Sequence, residues 1–289
     1  MASGGSQQLC STRPYAAPGP PQRHGQHPLV DTAEARPNLI PRRGRNGCGH
    51  RLAGPTDEAL DAETIEVDHW QPLLVSGDRV LVGVTDGSSG IGICTILDTV
   101  TGQIIATTEP APYGYKAIAG PGQFLVGRQG YSAFSSTLYD RDGRAMQNWP
   151  SHGMMLVDRH GTIRGPESEN RLPSRSLFRV LNADGSLRDG PPLSGYYTTY
   201  PALDADGSAV FWRDGRLLAI DSGLQMRELF TREDQRAVMS RVLLLDHDQI
   251  VLALDDELLA FRNTGLAALD TGPWPCADGN IQGNPAALS

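Results

Sequence analysis

At 289 residues, 39% hydrophobic and 20% charged, the chain is long enough for one large core or two small ones, which excludes a short module stapled by disulfides or a metal. No apolar run approaches the roughly 18 residues needed to cross a bilayer, and the first thirty residues lack the apolar stretch of a secretory signal, so a soluble, cytoplasmic protein with no membrane span is expected. The net charge of −8 is uneven: residues 1–55 carry seven Arg and two acidic residues, so the rest of the chain is strongly acidic and is expected to repel nucleic acid.

Residues 1–55 hold eight Pro and eight Gly with almost no periodic apolar pattern, and such a segment cannot bury enough surface to offset its ordering entropy. A disordered Pro/Gly/Arg-rich tail is expected there, followed by one globular domain over residues 56–289. Cys48 and His50, with His24 and His27, match no structural zinc spacing, and no metal site is expected. Cys10, Cys48, Cys94 and Cys276 show no paired spacing, which speaks for reduced thiols.

From about Glu66 the pattern becomes short apolar or β-branched segments separated by Gly, Asp and Asn turn signals, without sustained helical periodicity. This predicts an all-β fold. Two interleaved ladders of turns are present. The first reads ILDTVTG at Asp98, LYDRDG at Asp140, VLNADG at Asn182, LAIDSG at Asp221 and LAFRNTG at Arg262, with steps of 42, 42, 39 and 41. The second, at Asp78, Gly122, Gly161, Gly207 and Asp248, has steps of 44, 39, 46 and 41. Two turns per unit give four strands per unit, and four strands in about 40–45 residues is the size of a propeller blade. The prediction is a β-propeller of about five or more four-stranded blades, with about 42 residues per repeat. In the second unit the strands are expected near residues 116–119, 124–128, 135–139 and 145–149. The pairs Asp140/Asp142, Asp204/Asp206 and Asp246/Asp248 recur at blade period, which marks turn residues capping local amides and not a calcium site. Residues 165–176 read as a loop insertion, and residues 272–285, with Trp274 as anchor, as a segment that plugs or latches the ring.

The rungs at residues 96–107 (ILDTVTGQIIAT) and 201–221 (PALDADGSAVFWRDGRLLAID) resemble the repeats of the quinoprotein-like β-propeller superfamily. There a Pro-x-x-Asp-x-Asp-Gly strand pair precedes a Gly-x-Leu-x-Ala-x-Asp strand. Quinone-binding members of that superfamily follow the turn with a docking Trp. The segments here read IIATTE and QMRELF, so no cofactor is expected. A fainter resemblance, over residues 130–153, is to arylsulfotransferase-type propellers, which implies the alternative of an enzyme acting on a small anionic or aromatic substrate.

In a propeller, the segments leading from one blade's outer strand to the next blade's inner strand meet at one mouth of the channel. They carry Trp70, Tyr113, Tyr115, Lys116, His152, Tyr196, Tyr197, Tyr200, Arg236 and Arg241, a set of aromatic walls and cationic points suited to an anionic or sugar-like ligand. His152, Tyr200 and Arg241 are the catalytic candidates on the enzyme alternative, since imidazole titrates near neutrality. No GxSxG elbow, HExxH or phosphate-cradling loop is present. The sequence therefore favours a non-catalytic binding or scaffolding module that holds a small molecule or a protein partner on the channel-mouth face.

Overall fold

The structure, a computed structural model, describes residues 69–70, 73–85, 89–129, 134–167, 176–195, 199–232, 240–254, 256–280 and 286–287. The expected tail over residues 1–55 and the start of the expected domain lie outside them. Among the described residues there are strands and no helix, and hence no helix long and apolar enough to cross a membrane.

Each sequence unit folds into its own antiparallel sheet. In the first, β1 (His69–Trp70) and β2 (Leu74–Ser76) pair with successive parts of β3 (Arg79–Thr85), so together they act as one broken inner strand. They are followed by β4 (Gly92–Asp98) and β5 (Ile104–Thr107). The second sheet is β6 (Tyr113–Gly120), β7 (Gln123–Arg128), β8 (Ser135–Tyr139) and β9 (Ala145–Trp149), within three residues of the expected bounds at every strand end. The third is β10 (Leu156–Val157), β11 (Ile163–Pro166), β12 (Ser176–Leu181) and β13 (Leu187–Leu193), and the fourth is β14 (Ala202–Leu203), β15 (Ala209–Arg213), β16 (Arg216–Ile220) and β17 (Met226–Thr231). The fifth departs from the expected four strands. Its described residues form only β18 (Leu243–Leu245), β19 (Gln249–Leu254) and β20 (Glu257–Arg262).

The inner strands of neighbouring sheets meet, β2 with β6, β6 with β10 and β14 with β18, and the fold is a β-propeller with five blade sheets among the described residues. The second ladder of turns joins inner to second strands and the first ladder joins third to outer strands. In all four complete blades the third and outer strands carry a register shift, at Ile96/Leu97, Leu138/Tyr139, Leu177/Arg179 and Leu217/Leu218. A bulge at that position increases the local twist each blade needs to pack on the next.

Polar contacts tie the blades in sequence. Ser76 Oγ donates to the Gly120 carbonyl at 2.7 Å and accepts from Gly122 N at 2.9 Å, joining the inner turns of blades one and two. The Trp149 indole donates to the Asn182 carbonyl in blade three at 3.0 Å, and Arg164 Nη1 donates to the Gly207 carbonyl in blade four at 3.0 Å. Gly143, at φ 73°, is required twice over: its turn takes the left-handed conformation, and a Cβ there would lie 2.1 Å from the Ala106 Cβ of the preceding blade. The repeated turn aspartates behave as caps. Asp140 Oδ1 accepts from Asp142 N and Arg144 N, and Asp204 Oδ1 accepts from Asp206 N and Ser208 N.

After β20 the chain turns into the centre of the ring. Leu266 N donates to Asp248 Oδ1 at 3.1 Å and Ala267 N to Asp204 Oδ2 at 3.1 Å, so the inner-turn aspartates of blades five and four hold the entering strap, Asp204 in addition to its own turn. Arg159 N donates to Asp270 Oδ1 at 2.9 Å at the inner turn of blade three. The strap then pairs with the inner edges of two blades. Val157 N donates to the Trp274 carbonyl at 2.9 Å and Leu203 N to the Pro275 carbonyl at 2.7 Å, with antiparallel bridges Val157↔Trp274 and Ala202↔Cys276. Gly272 fits only because it has no side chain, since a Cβ would lie 2.4 Å from the Asp158 carbonyl carbon. Further on, β21 (Ala286–Ala287) runs parallel to β2, so the chain has reversed direction, and Asp278 and Gly279 stand at positive φ between the two runs. A strand bonded to the inner edges of inner strands occupies the channel itself.

The strap also joins the apolar cores. Trp274 belongs to a cluster with Leu81, Ile118, Leu125, Trp149 and Val157 of blades one to three, whereas Leu266 and Cys276 belong to a cluster with Trp212, Leu244, Ile250 and Leu252 of blades four and five. Truncating a buried aromatic removes both transfer free energy and packing, so Trp274→Ala is expected to lower stability by about 3–5 kcal/mol. Urea unfolding measures it. A loss under about 1 kcal/mol would show that the ring does not depend on the strap.

Candidate ligand face and channel mouth

The inner strands begin on one face of the ring, and the expected site residues divide there into three groups. Tyr196, Tyr197 and Arg236 lie outside the described residues. Trp70 is on β1 opposite Val84, with its backbone described but not its side chain. Tyr113, Tyr115, Lys116, His152, Tyr200 and Arg241 are described, and each has structural contacts of its own.

Tyr115, Tyr200 and Arg241 converge on the strap. The Tyr115 hydroxyl donates to the Met155 carbonyl of blade three and lies beside Trp274, and burial pushes it far above the usual phenol range. Tyr200 N donates to the Ser240 carbonyl at 2.9 Å and Val242 N donates to the Tyr200 carbonyl at 3.1 Å, which sets Tyr200 beside Arg241 across adjacent inner strands. Arg241, expected as a cationic contact for a ligand, instead donates from Nη2 to the Asn280 carbonyl at 2.9 Å and pairs with Asp278 at 3.6 Å. The Cys276 thiol sits within this group, raised to about 11 by burial, which keeps it protonated and unreactive near neutrality. Three of the groups expected to wall a pocket, Tyr115, Tyr200 and Arg241, thus surround a segment of their own chain.

Tyr113 and Lys116 lie between blades one and two. The Tyr113 hydroxyl donates to the Glu109 carbonyl at 2.5 Å. Lys116 is half-buried, and burial lowers its pKa while the nearby Cys94 thiol opposes the shift. Cys94 is pushed up to about 11 by burial. Two alternating faces of β6 separate these residues: Lys116 and Ile118 face one way, Tyr115 and Ala117 the other. Sequence spacing could place all of them in one loop region, but pleating sends neighbours to opposite sides.

His152 is the most distinctive group. It is only 5% exposed, and its Nδ1 has no hydrogen-bond partner. The ring fills a slot left by two glycines: a Cβ at Gly127 would lie 2.6 Å from Nδ1 and one at Gly114 3.1 Å from Cε1. Phe134 covers it at a centroid distance of 5.9 Å. Burial lowers its pKa to about 4. At neutral pH the ring is therefore uncharged and acts as a packing element of blade two. Its described contacts are with that blade and not with Tyr200 or Arg241.

The spacing of single residues did not reveal a second cluster, between blades three and four. Arg213 is 1% exposed and donates to three carbonyls, Ser194, Gly195 and Glu167, each at 2.8 Å. Glu167 accepts from Ser151 Oγ at 2.7 Å and from Arg179 Nε at 3.0 Å. Glu167 lies in the expected insertion at residues 165–176 and Arg179 in the strand that follows it, so the near end of the insertion is anchored in the ring. β15 is buried at every position, so no alternation in the sequence marks Arg213, and nothing in the sequence named its acceptors.

The histidine makes the fold acid-sensitive. Its ordinary pKa of 6.5 falls to about 4 in the folded chain, so the unfolded state binds the proton first. Its contribution is fully present above pH 6.5 and is lost as pH falls through the interval to about 4, on the order of 3 kcal/mol in total. Urea midpoints measured from pH 7 to 4 are expected to fall more steeply for the native chain than for His152→Phe. Parallel curves would mean that the ring accepts protonation without cost.

No protein-family model matches the chain, and no curated protein does. Solved structures with a similar fold include the β-propeller domain of the Trilobed protease from Pyrococcus furiosus, at 11% identity and a TM-score of 0.45, covering 73% of this chain and 71% of that one. TolB from Acinetobacter baumannii is similar at 14% identity and a TM-score of 0.45, covering 70% and 54% of the two chains. A calcium-binding regucalcin from Agrobacterium tumefaciens is similar at 14% identity and a TM-score of 0.40, covering 71% and 77%.

Proposed function

We propose that the protein is a non-catalytic β-propeller of the quinoprotein-like type, which holds a small molecule or a protein partner on the face where its inner strands begin. The observation that carries this reading is the filled channel. With Trp274, Cys276 and the Arg241–Asn280 contact inside it, the ring is a solid scaffold, and recognition falls to the loops on its face. The candidate acid–base groups support the same conclusion. His152 is neutral and enclosed, the Tyr115 hydroxyl is bonded to a backbone carbonyl, and Arg241 is engaged by the strap.

The quinoprotein-like assignment is supported by how the quoted repeat maps onto blade four. Its Pro-x-x-Asp-x-Asp-Gly part forms β14 and the inner turn, and its Gly-x-Leu-x-Ala-x-Asp part forms β16, with Asp204 and Asp221 capping the two turns. The reading includes no bound cofactor. It also places the protein in the cytoplasm, in agreement with Cys94 and Cys276 as buried free thiols.

One pairing favours the rival enzyme reading: Tyr200 is bridged through its backbone to Arg241, which puts a phenol-bearing and a guanidinium-bearing residue on adjacent inner strands. A thermal-shift screen with 4-nitrophenyl sulfate, simple sugars, dicarboxylates and calcium separates the two. Because a ligand bound only by the folded state raises the midpoint, the binding reading expects a shift from at least one probe and no release of 4-nitrophenol with a phenol acceptor present. Release of 4-nitrophenol that is abolished by Tyr200→Phe would replace it with the enzyme reading.

A further inference from the structure

Ile96 of blade one and Ile118 and Phe124 of blade two share one apolar cluster, and toward the channel-mouth face the layer between these blades turns polar. Strand register brings the polar groups together. Tyr113 on β6 stands directly opposite Arg128 on β7, and Lys116 stands opposite Val126, two residues before Arg128, so the lysine and the arginine are diagonal neighbours on one side of the sheet, within reach of each other's long side chains. The row of Ile118 and Phe124 continues to Tyr139 on β8, on that same side. Cys94 approaches from β4 of blade one and is an electrostatic neighbour of Lys116, Tyr113 and Tyr139. Solvent reaches the group, since Arg128 is exposed and Tyr113, Lys116 and Tyr139 are half-buried.

Neither cation has a partner there. Among the described residues the Lys116 and Arg128 side chains donate no hydrogen bond and enter no ion pair, whereas the buried Arg79, Arg164 and Arg213 each reach a carboxylate or a carbonyl. The Cys94 thiol beside Lys116 supplies no countercharge, because burial raises it to about 11 and keeps it protonated near neutrality. Glu109, next to Tyr113, is exposed and pairs with neither cation. An ammonium drawn partly out of water without a countercharge is disfavoured, and a bound anion removes that cost.

We propose that Lys116 and Arg128 form an oxyanion site between blades one and two, where the guanidinium takes two oxygens of a carboxylate or sulfate group, the ammonium balances the charge, and the phenols of Tyr113 and Tyr139 border the ligand. The site rests on the reading of the protein as a binding module and names its ligand class, a small molecule that carries a carboxylate or a sulfate group. It lies off the axis and is therefore compatible with the filled channel. Tyr115, which bonds to Met155 beside the strap, and His152, which sits against Gly127, are on the opposite side of blade two.

Lys116 is the only lysine of the chain, so an NMR label at lysine Cε gives a single resonance that reports on this site. In the full chain, titrated with sodium sulfate and with sodium succinate against sodium chloride at constant ionic strength, that resonance is expected to shift saturably, and the Lys116 pKa to rise in the anion-saturated protein, because a bound anion favours the ammonium. Arg128→Gln changes an exposed position, is expected to fold, and should raise the half-saturating concentration roughly tenfold. A response to one of the two salts supports the site and identifies the group it takes. No saturable shift with either salt overturns the proposal, and so does an unchanged half-saturation in Arg128→Gln. If dicarboxylates in the thermal-shift screen stabilise Lys116→Met as much as the native chain, this site is overturned while the reading as a binding module stands.

Discussion

The fold depends on the backbone hydrogen bonds between the strap and the inner strands of blades three and four. A ring of five sheets leaves the inner edge of every inner strand facing the axis, where unpaired N–H and C=O groups need partners. The strap supplies them at Val157, Leu203 and Ala205. In doing so it brings Trp274 into one apolar cluster and Cys276 into another, so backbone satisfaction and core continuity come from the same segment.

This arrangement also decides what the turn aspartates do. A cap needs one carboxylate oxygen for its own amides, and the second is then available to the neighbourhood. At Asp204 the second oxygen takes the Ala267 amide, at Asp158 it takes Arg164 at 2.8 Å, and Asp98 pairs with Arg79 at 2.8 Å. In blades one to four the repeat therefore carries a local capping role, and the second oxygen makes a contact that differs from blade to blade: the strap at Asp204, and an arginine of the same blade at Asp158 and Asp98. Asp158 and Arg164 belong to the same blade and are both nearly buried; their pairing orients Arg164, whose Nη1 reaches the Gly207 carbonyl of blade four, more than it adds net stability.

For function, the central consequence is that polar side chains clustered at a channel mouth need not form a ligand pocket. Tyr115, Tyr200 and Arg241 come together around Trp274, Cys276, Asp278 and Asn280. His152 is enclosed because Gly114 and Gly127 offer it a slot, and burial holds it neutral.

The sequence by itself determined the all-β class, the 42-residue unit, the strand bounds of the second blade and the capping role of the aspartates, because each depends on local turn chemistry and on alternation along one strand. It also marked residues 272–285 as a closing segment, through turn formers around a single Trp. Only the tertiary structure decided that this segment enters the axis, that Arg241 is directed at Asn280, that Lys116 and Tyr115 face opposite sides of β6, and that Arg213 gathers three carbonyls. These outcomes depend on pairings between residues dozens of positions apart, and on the pleat that turns each side chain to one face or the other. Neither leaves a periodic trace along the chain.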